Sequence, residues 1–250
     1  MPHFHAVYAY CRWADDLADE TAGCQEALDL LGWWRGELIA MYEGNARHPV
    51  MVALRETVTR FAIPPDPFLS LLTAFQQDQR VTRYETFDEL LGYCRHSANP
   101  VGHIVLYLFE CFTPDRAALA DQVCTGLQLA NFWQDVARDF AKGRSYLPAE
   151  DRRRHGYADA DLVARRFTPS FAELMRFEVE RTREYFDRGA KLLPLVPWAV
   201  RADVDLFVRG GRAVLVAIER QGYDVWSRRP VVSKWQKLGL LLRAGVSQFL

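Results

Sequence analysis

Apolar residues recur every three or four positions along most of the chain, and that spacing predicts helix nearly throughout. Residues 4–20 read as a first helix. Gln25 to Glu43 reads as a second, with Ala27, Leu30, Leu31, Trp34, Leu38 and Met41 sharing one face. Asn45 to Pro49 and Pro64 to Pro67 interrupt the pattern, and Asp66 is placed to cap the helix that follows. Thr86 and Glu89 have the spacing of a capping box. Pro100, inside an apolar helical stretch, predicts a kink or break before an apolar helix from Val101 to Phe112. Asp115 to Lys142 is a long helical run that Gly143 stops and Pro148 closes. Residues 149–168 are polar and charged and read as a mobile loop with short helices. Ser170 to Leu193, Asp203 to Gln221 and Ser233 to Phe249 complete the set. No segment shows the period of two that a strand requires, and no repeat or low-complexity stretch is present. The expected fold is all-α, a single domain over residues 1–250.

Composition narrows the classes. The 250 residues can bury a substantial core, and half are apolar. A formal net charge of −1 gives no overall basicity for nucleic acid. Five cysteines (Cys11, Cys24, Cys94, Cys111, Cys124) include no C-x-x-C pair and read as reduced, mostly buried thiols. The chain opens in polar-aromatic helix without the pattern of a signal peptide, and no apolar run approaches the roughly 20 residues that span a bilayer. The expectation is a cytoplasmic protein, peripheral at most at the inner face of the membrane.

Two acidic clusters carry the candidate chemistry. Asp15 and Asp19 are four residues apart, as are Asn131, Asp135 and Asp139. On a helix that spacing stacks the oxygens on one face, drifting about 40° per step. Two such faces turned toward each other would form an oxygen-lined cage suited to Mg²⁺, which takes one or two carboxylates and completes its shell with water and substrate phosphate. Either cluster alone reads as readily as a solvated acidic face. Arg12 shares a face with Asp15, Asn131 is a neutral oxygen donor, and Lys142-Gly143-Arg144 forms a basic turn directly after the second cluster. The substrate these features imply is a diphosphate.

Three motifs carry a resemblance: Y-A-Y-C-R-x-x-D-D-x-x-D-E (Tyr8 to Glu20), Q-x-x-N-x-x-x-D-x-x-x-D (Gln128 to Asp139) and K-G-R-x-Y-L-P (Lys142 to Pro148). With Gly222-Tyr223-Asp224-Val225 and Arg229-Pro230 near the end, the chain resembles the squalene/phytoene synthase family, the head-to-head trans-isoprenyl diphosphate synthases. The resemblance covers almost the whole chain. It implies an isoprenoid-synthase helical bundle around a central apolar cavity, with Asp15, Asp19, Asn131, Asp135 and Asp139 holding Mg²⁺ (Mn²⁺ substituting) on a prenyl diphosphate. It further implies that Tyr8, Arg12, Gln128, Arg144 and Tyr223 contact the diphosphate, while Asp16 and Glu20 stand behind the ligands. Trp13, Phe75, Tyr93, Phe132 and Trp133 are candidates for an aromatic wall around an allylic cation, although ordinary core is the commoner role at helical spacing.

Two departures bear on the reaction. Arg138 stands where the family usually has an acid, and His96 stands where it usually has an active-site tyrosine. S-A-N-P-V-G (Ser97 to Gly102) and A-N-F-W-Q-D-V-A (Ala130 to Ala137) resemble the bacterial hopanoid-pathway branch, in particular hydroxysqualene synthase. That resemblance implies ionisation of presqualene diphosphate, rearrangement and capture by water, with His96 as a polar group near the cation and no NADPH required. It also implies association with other hopanoid-pathway enzymes. The alternative within the class is condensation of two prenyl diphosphates to presqualene, squalene or phytoene-type products. Family members usually carry a further N-terminal helix before the position of Met1, so a truncated, non-catalytic homologue or scaffold is the alternative of another class. Retention of the whole oxygen-ligand set argues against it. Ser233 to Arg243 combines Lys234, Trp235, Lys237, Arg243 and a leucine run at amphipathic spacing, which suits either a helix lying on a membrane or one packed on the bundle.

Overall fold

The computed structural model describes residues 2–232. The expected helix from Ser233 to Phe249, and the membrane contact assigned to it, lie outside the described residues. Eleven α-helices occur among the described residues: α1 (Pro2–Asp19), α2 (Cys24–Tyr42), α3 (Pro49–Phe61), α4 (Asp66–Asp78), α5 (Phe87–Ser97), α6 (Asn99–Leu108), α7 (Pro114–Ala141), α8 (Ala149–Arg154), α9 (Asp159–Val163), α10 (Pro169–Gly189) and α11 (Trp198–Arg220). A 3₁₀ turn, Ala190–Leu195, joins the last two. The all-α expectation is met among these residues. They divide into two compact units, one of residues 1–81 and 95–113, the other of residues 82–94 and 114 onward.

In the first unit α1 packs on α2, α3 and α4. It buries Ala6, Tyr10, Ala14 and Ala18, a four-residue repeat in which three alanines let neighbouring helices approach closely. Tyr10 is the anchor of this face. Its ring lies 5.7 Å from Trp34 and 5.2 Å edge-on to Phe68, and its hydroxyl donates to the Phe68 carbonyl oxygen at 3.1 Å. His48 accepts from Val50 N at 3.3 Å to cap α3. Asp66 does not cap α4: it is already the first helical residue, Pro65 holds the cap position, and no side-chain cap bond forms there. The break at Pro100 is real, since α5 ends at Ser97 and Pro100 sits in the first turn of α6, where its missing N–H costs nothing.

In the second unit α7 packs on both α10 and α11. Close approach is set by small residues around Phe186, which is fully buried. A Cβ added to Gly211 would stand 2.1 Å from the Phe186 ring, and one added to Gly126 would stand 3.1 Å away. Trp133, assigned to a candidate aromatic wall, is instead wholly buried and donates from Nε1 to Thr182 Oγ1 at 2.7 Å. Next to Thr182 in sequence, the partly buried Arg181 reaches the buried Glu178 Oε2 and Asp151 Oδ2, each at 2.6 Å. Helix α11 begins at Trp198, five residues before the position expected from the pattern, because Pro197 starts the helix and Val200 is buried from its first turn. No disulfide forms, and Cys24 is exposed whereas Cys94 and Cys111 are buried.

Candidate active site

On α1 the buried alanine stripe turns the opposite face outward, and that face carries Tyr8, Arg12, Asp15 and Asp19. Helix spacing alone brings these four together. Arg12 pairs with Asp15 at 3.1 Å and Asp16 at 2.6 Å. Partial burial and the negative charge of Asp19 raise the Asp15 pKa against the pull of Arg12. Trp13 is 41% exposed beside this stripe and stacks on Trp34 at 5.9 Å.

On α7 the corresponding stripe is Gln128, Asn131, Asp135 and Asp139, with Asn131 exposed and the Asp135 side chain only 12% exposed. Asp139 is pushed up to about 6, first by burial and then by Asp135, although Lys142, Arg144 and Arg138 oppose the shift. The basic turn is held against this carboxylate by the backbone. Gly143 adopts φ +80°, and Arg144 N donates to the Asp139 carbonyl oxygen at 2.9 Å, closing the helix. Beyond it Ser145 N bonds Thr82 O at 2.8 Å and Ala149 N bonds Tyr84 O at 3.0 Å, so residues 82–85 run beside the turn and fix it. The same pairing builds an aromatic wall next to Asp139. Tyr146 stacks on Phe132 at 3.9 Å and lies within 6.0 Å of Tyr84 and Tyr93. A small cleft there is lined by Phe132, Val136, Asp139, Ser145, Tyr146 and Leu147.

Sequence reasoning found both stripes but left Arg229 without a role. Arg229 Nε donates to Asp135 Oδ1 at 2.5 Å and Nη2 to Oδ2 at 2.8 Å, a two-pronged grip on the carboxylate. Gln134 supports it, accepting from Arg229 at 3.0 Å and donating to the Pro230 carbonyl oxygen at 2.7 Å. The signal was the Arg-Pro pair itself, which local periodicity could not connect to α7. Tyr84 and Tyr146 were also missed as wall residues. The remaining predicted residues sit elsewhere in their units. His96, at the end of α5, shares a 2.8 Å hydrogen bond between Nδ1 and Ser70 Oγ of α4. Tyr223 follows Gly222 in a left-handed turn after α11, with the Arg176 guanidinium 5.5 Å from its ring centroid.

The donor set suits a hard dication. All candidate ligands are carboxylate or amide oxygens. Each acidic stripe already draws a cationic side chain, Arg12 on α1 and Arg229 on α7. Among the described residues no three His, Cys, Asp or Glu side chains converge as a ligand group. Mg²⁺ takes one or two protein carboxylates and completes its shell with water and phosphate, and carboxylates of this kind would fit it.

Residues 2–236 match the squalene/phytoene synthase family. The chain is 32% identical to a phytoene synthase of Arthrospira platensis, over 93% of this chain and 80% of that protein. It is 30% identical to a 15-cis-phytoene synthase of Synechococcus elongatus over the same shares. Among solved structures, squalene synthase HpnC from Alicyclobacillus acidocaldarius superposes with a TM-score of 0.86 at 42% identity, covering 88% of this chain and 83% of that one. A dehydrosqualene synthase superposes at 0.84 with 27% identity, covering 96% of this chain and 84% of that one. The chain belongs to the squalene/phytoene synthase family, and its helical fold is the isoprenoid-synthase fold. It is an enzyme of the prenyltransferase type.

Proposed function

We propose that the protein ionises presqualene diphosphate and quenches the rearranged cation with water to give hydroxysqualene. The carbon–oxygen bond to diphosphate breaks with its electron pair on the leaving group. The cyclopropylcarbinyl cation then rearranges, water adds through oxygen, and a proton is lost. Asp15, Asp19, Asn131, Asp135 and Asp139 are the residues to hold Mg²⁺, which when bound neutralises charge on the diphosphate. Tyr8, Arg12, Gln128, Arg144 and Tyr223 are assigned to the diphosphate itself. Tyr84, Tyr93, Phe132 and Tyr146 are suited to shielding a cation from premature capture.

The observation that carries this reading is His96, which stands where the family usually has a tyrosine and shares a 2.8 Å hydrogen bond with Ser70. Such a pair can orient a water molecule and accept its proton. The 42% identity to a squalene synthase supports the same branch. A second reading, condensation of two prenyl diphosphates, is favoured by the phytoene synthases among the relatives.

The test is incubation with presqualene diphosphate and Mg²⁺ in water labelled with heavy oxygen. An alcohol carrying the label, formed equally with and without NADPH, is expected. Replacing His96 with Phe should lower the alcohol and raise elimination products, with diphosphate release little changed. Unlabelled alcohol, squalene formed only with NADPH, or turnover of shorter prenyl diphosphates alone would overturn the assignment.

A further inference from the structure

Between α10 and α11 the chain reverses through Ala190–Leu195 and Pro197. This reversal is anchored and yet presents apolar side chains outward. Leu192, Val196 and Val200 are buried at 2%, 3% and 0% exposure. Gly189, just before it, is packed so closely that an added Cβ would stand 2.9 Å from the backbone nitrogen of Val123. On the outer side Trp198 is 71% exposed and Leu195 45%, flanked by exposed Pro194 and Pro197.

Within the reversal itself charge has one sign. From Arg188 to Ala202 the chain holds three cations, Arg188, Lys191 and Arg201, and no acid. Lys191 and Arg201 are exposed, Lys191 four residues before Leu195 and Arg201 three after Trp198 in sequence, while Arg188 is engaged by Gln122 at 2.9 Å and Glu184 at 3.4 Å. The bordering acids are Asp187, which is paired with Arg212, and the exposed Asp203.

We propose that this reversal is a membrane-docking wedge in which Trp198 and Leu195 enter the interfacial region of an anionic bilayer while Lys191 and Arg201 meet its headgroups. Tryptophan favours that region, because its ring is apolar and its N–H still reaches water and headgroups. Basic residues near an anionic surface add attraction that salt weakens. A second protein copy fits the projection poorly. A stable interface buries about 800 Å² on each partner, and one tryptophan and one leucine between prolines fall well short of that.

The experiment compares the full chain with Leu195→Ser/Trp198→Ser and with Lys191→Glu/Arg201→Glu. Each is titrated with phosphatidylcholine vesicles with and without phosphatidylglycerol, while helicity is followed by circular dichroism. The parent should bind the anionic vesicles. The apolar double variant should lower partitioning about tenfold or more. The charge-reversed variant should lose about tenfold or more on anionic vesicles and be unchanged on neutral ones. Helicity should be equal in all three. A parent that binds neither vesicle, or an apolar variant within about twofold of the parent, would overturn the proposal. So would a parent dimer that the apolar variant converts to monomer, since the patch would then be a subunit contact.

Discussion

Arg229 holds both carboxylate oxygens of Asp135, a residue 94 positions earlier in the sequence, at 2.5 and 2.8 Å. Because the Asp135 side chain is only 12% exposed, removing the guanidinium leaves a largely buried charge without this partner. Arg229→Ala should therefore cost about 2 kcal/mol in denaturant unfolding without metal, a figure reduced for the partial exposure of the arginine. Added Mn²⁺ should restore more stability to the variant than it gives the parent, since the carboxylate becomes available to the ion. Equal Mn²⁺ responses in the two proteins would show that Arg229 and the metal do not share Asp135.

Metal dependence should follow the oxygen ligands. Mg²⁺ or Mn²⁺ should support turnover and Zn²⁺ should do so poorly, because neither stripe offers thiol or imidazole. Asp15→Ala and Asp135→Ala should each lower turnover by a factor on the order of 10²–10³ with helicity intact. Full activity in excess chelator contradicts this outright.

Asp139 should make the metal-free protein less stable as it ionises. Its pKa is raised from 3.8 to about 6, so the folded state binds the proton more tightly than the unfolded chain. The associated stability is fully present below about pH 3.8 and lost as pH rises through 6. Asp139→Asn, neutral throughout, should gain on the parent by about 1 kcal/mol between pH 4 and 7, after allowance for solvent screening. Thermal unfolding in chelator at the two pH values measures the difference, and a variant that gains nothing at pH 7 refutes it.

Glu178 presents the same sign in a closed setting. Burial, with Asp151 beside it, lifts its pKa from 4.5 to about 8 against the opposing charge of Arg181. Its contribution to stability should fall as pH rises from 4.5 to 8 and level off above that. Glu178→Gln should flatten the dependence at little cost near neutrality, because the side chain it replaces already carries a proton. Glu178→Ala should lose about 3 kcal/mol through a cavity and a poorly satisfied Arg181. Denaturant midpoints measured from pH 5 to 9 separate the three proteins.

Gly211→Ala tests the packing of α10 on α11. The new methyl would stand 2.1 Å from the Phe186 ring, and that ring also faces Gly126 and has no slack. A loss of about 2 kcal/mol is expected, with Phe186→Leu in the same chain recovering part of it. An alanine variant as stable as the parent would mean the helices separate freely there.

The sequence by itself determined that the described residues are helical and which oxygens the two acidic helices carry. The Tyr8–Arg12–Asp15–Asp19 and Gln128–Asn131–Asp135–Asp139 stripes follow from helical spacing, and the caps at Thr86 and Gly143 and the break at Pro100 follow from local backbone chemistry. Local rules reach only a few residues, and there they failed where a proline started a helix early, at Pro65 and Pro197. Tertiary structure alone decided what lies beyond that range. It put Arg229 on Asp135, laid residues 82–85 beside the basic turn, stacked Tyr146 on Phe132 and sent Trp133 into the core rather than the wall. It also left Trp198 outside while Leu192, Val196 and Val200 went in. These outcomes depend on burial and on partners far apart in sequence, and neither quantity exists until the helices have packed.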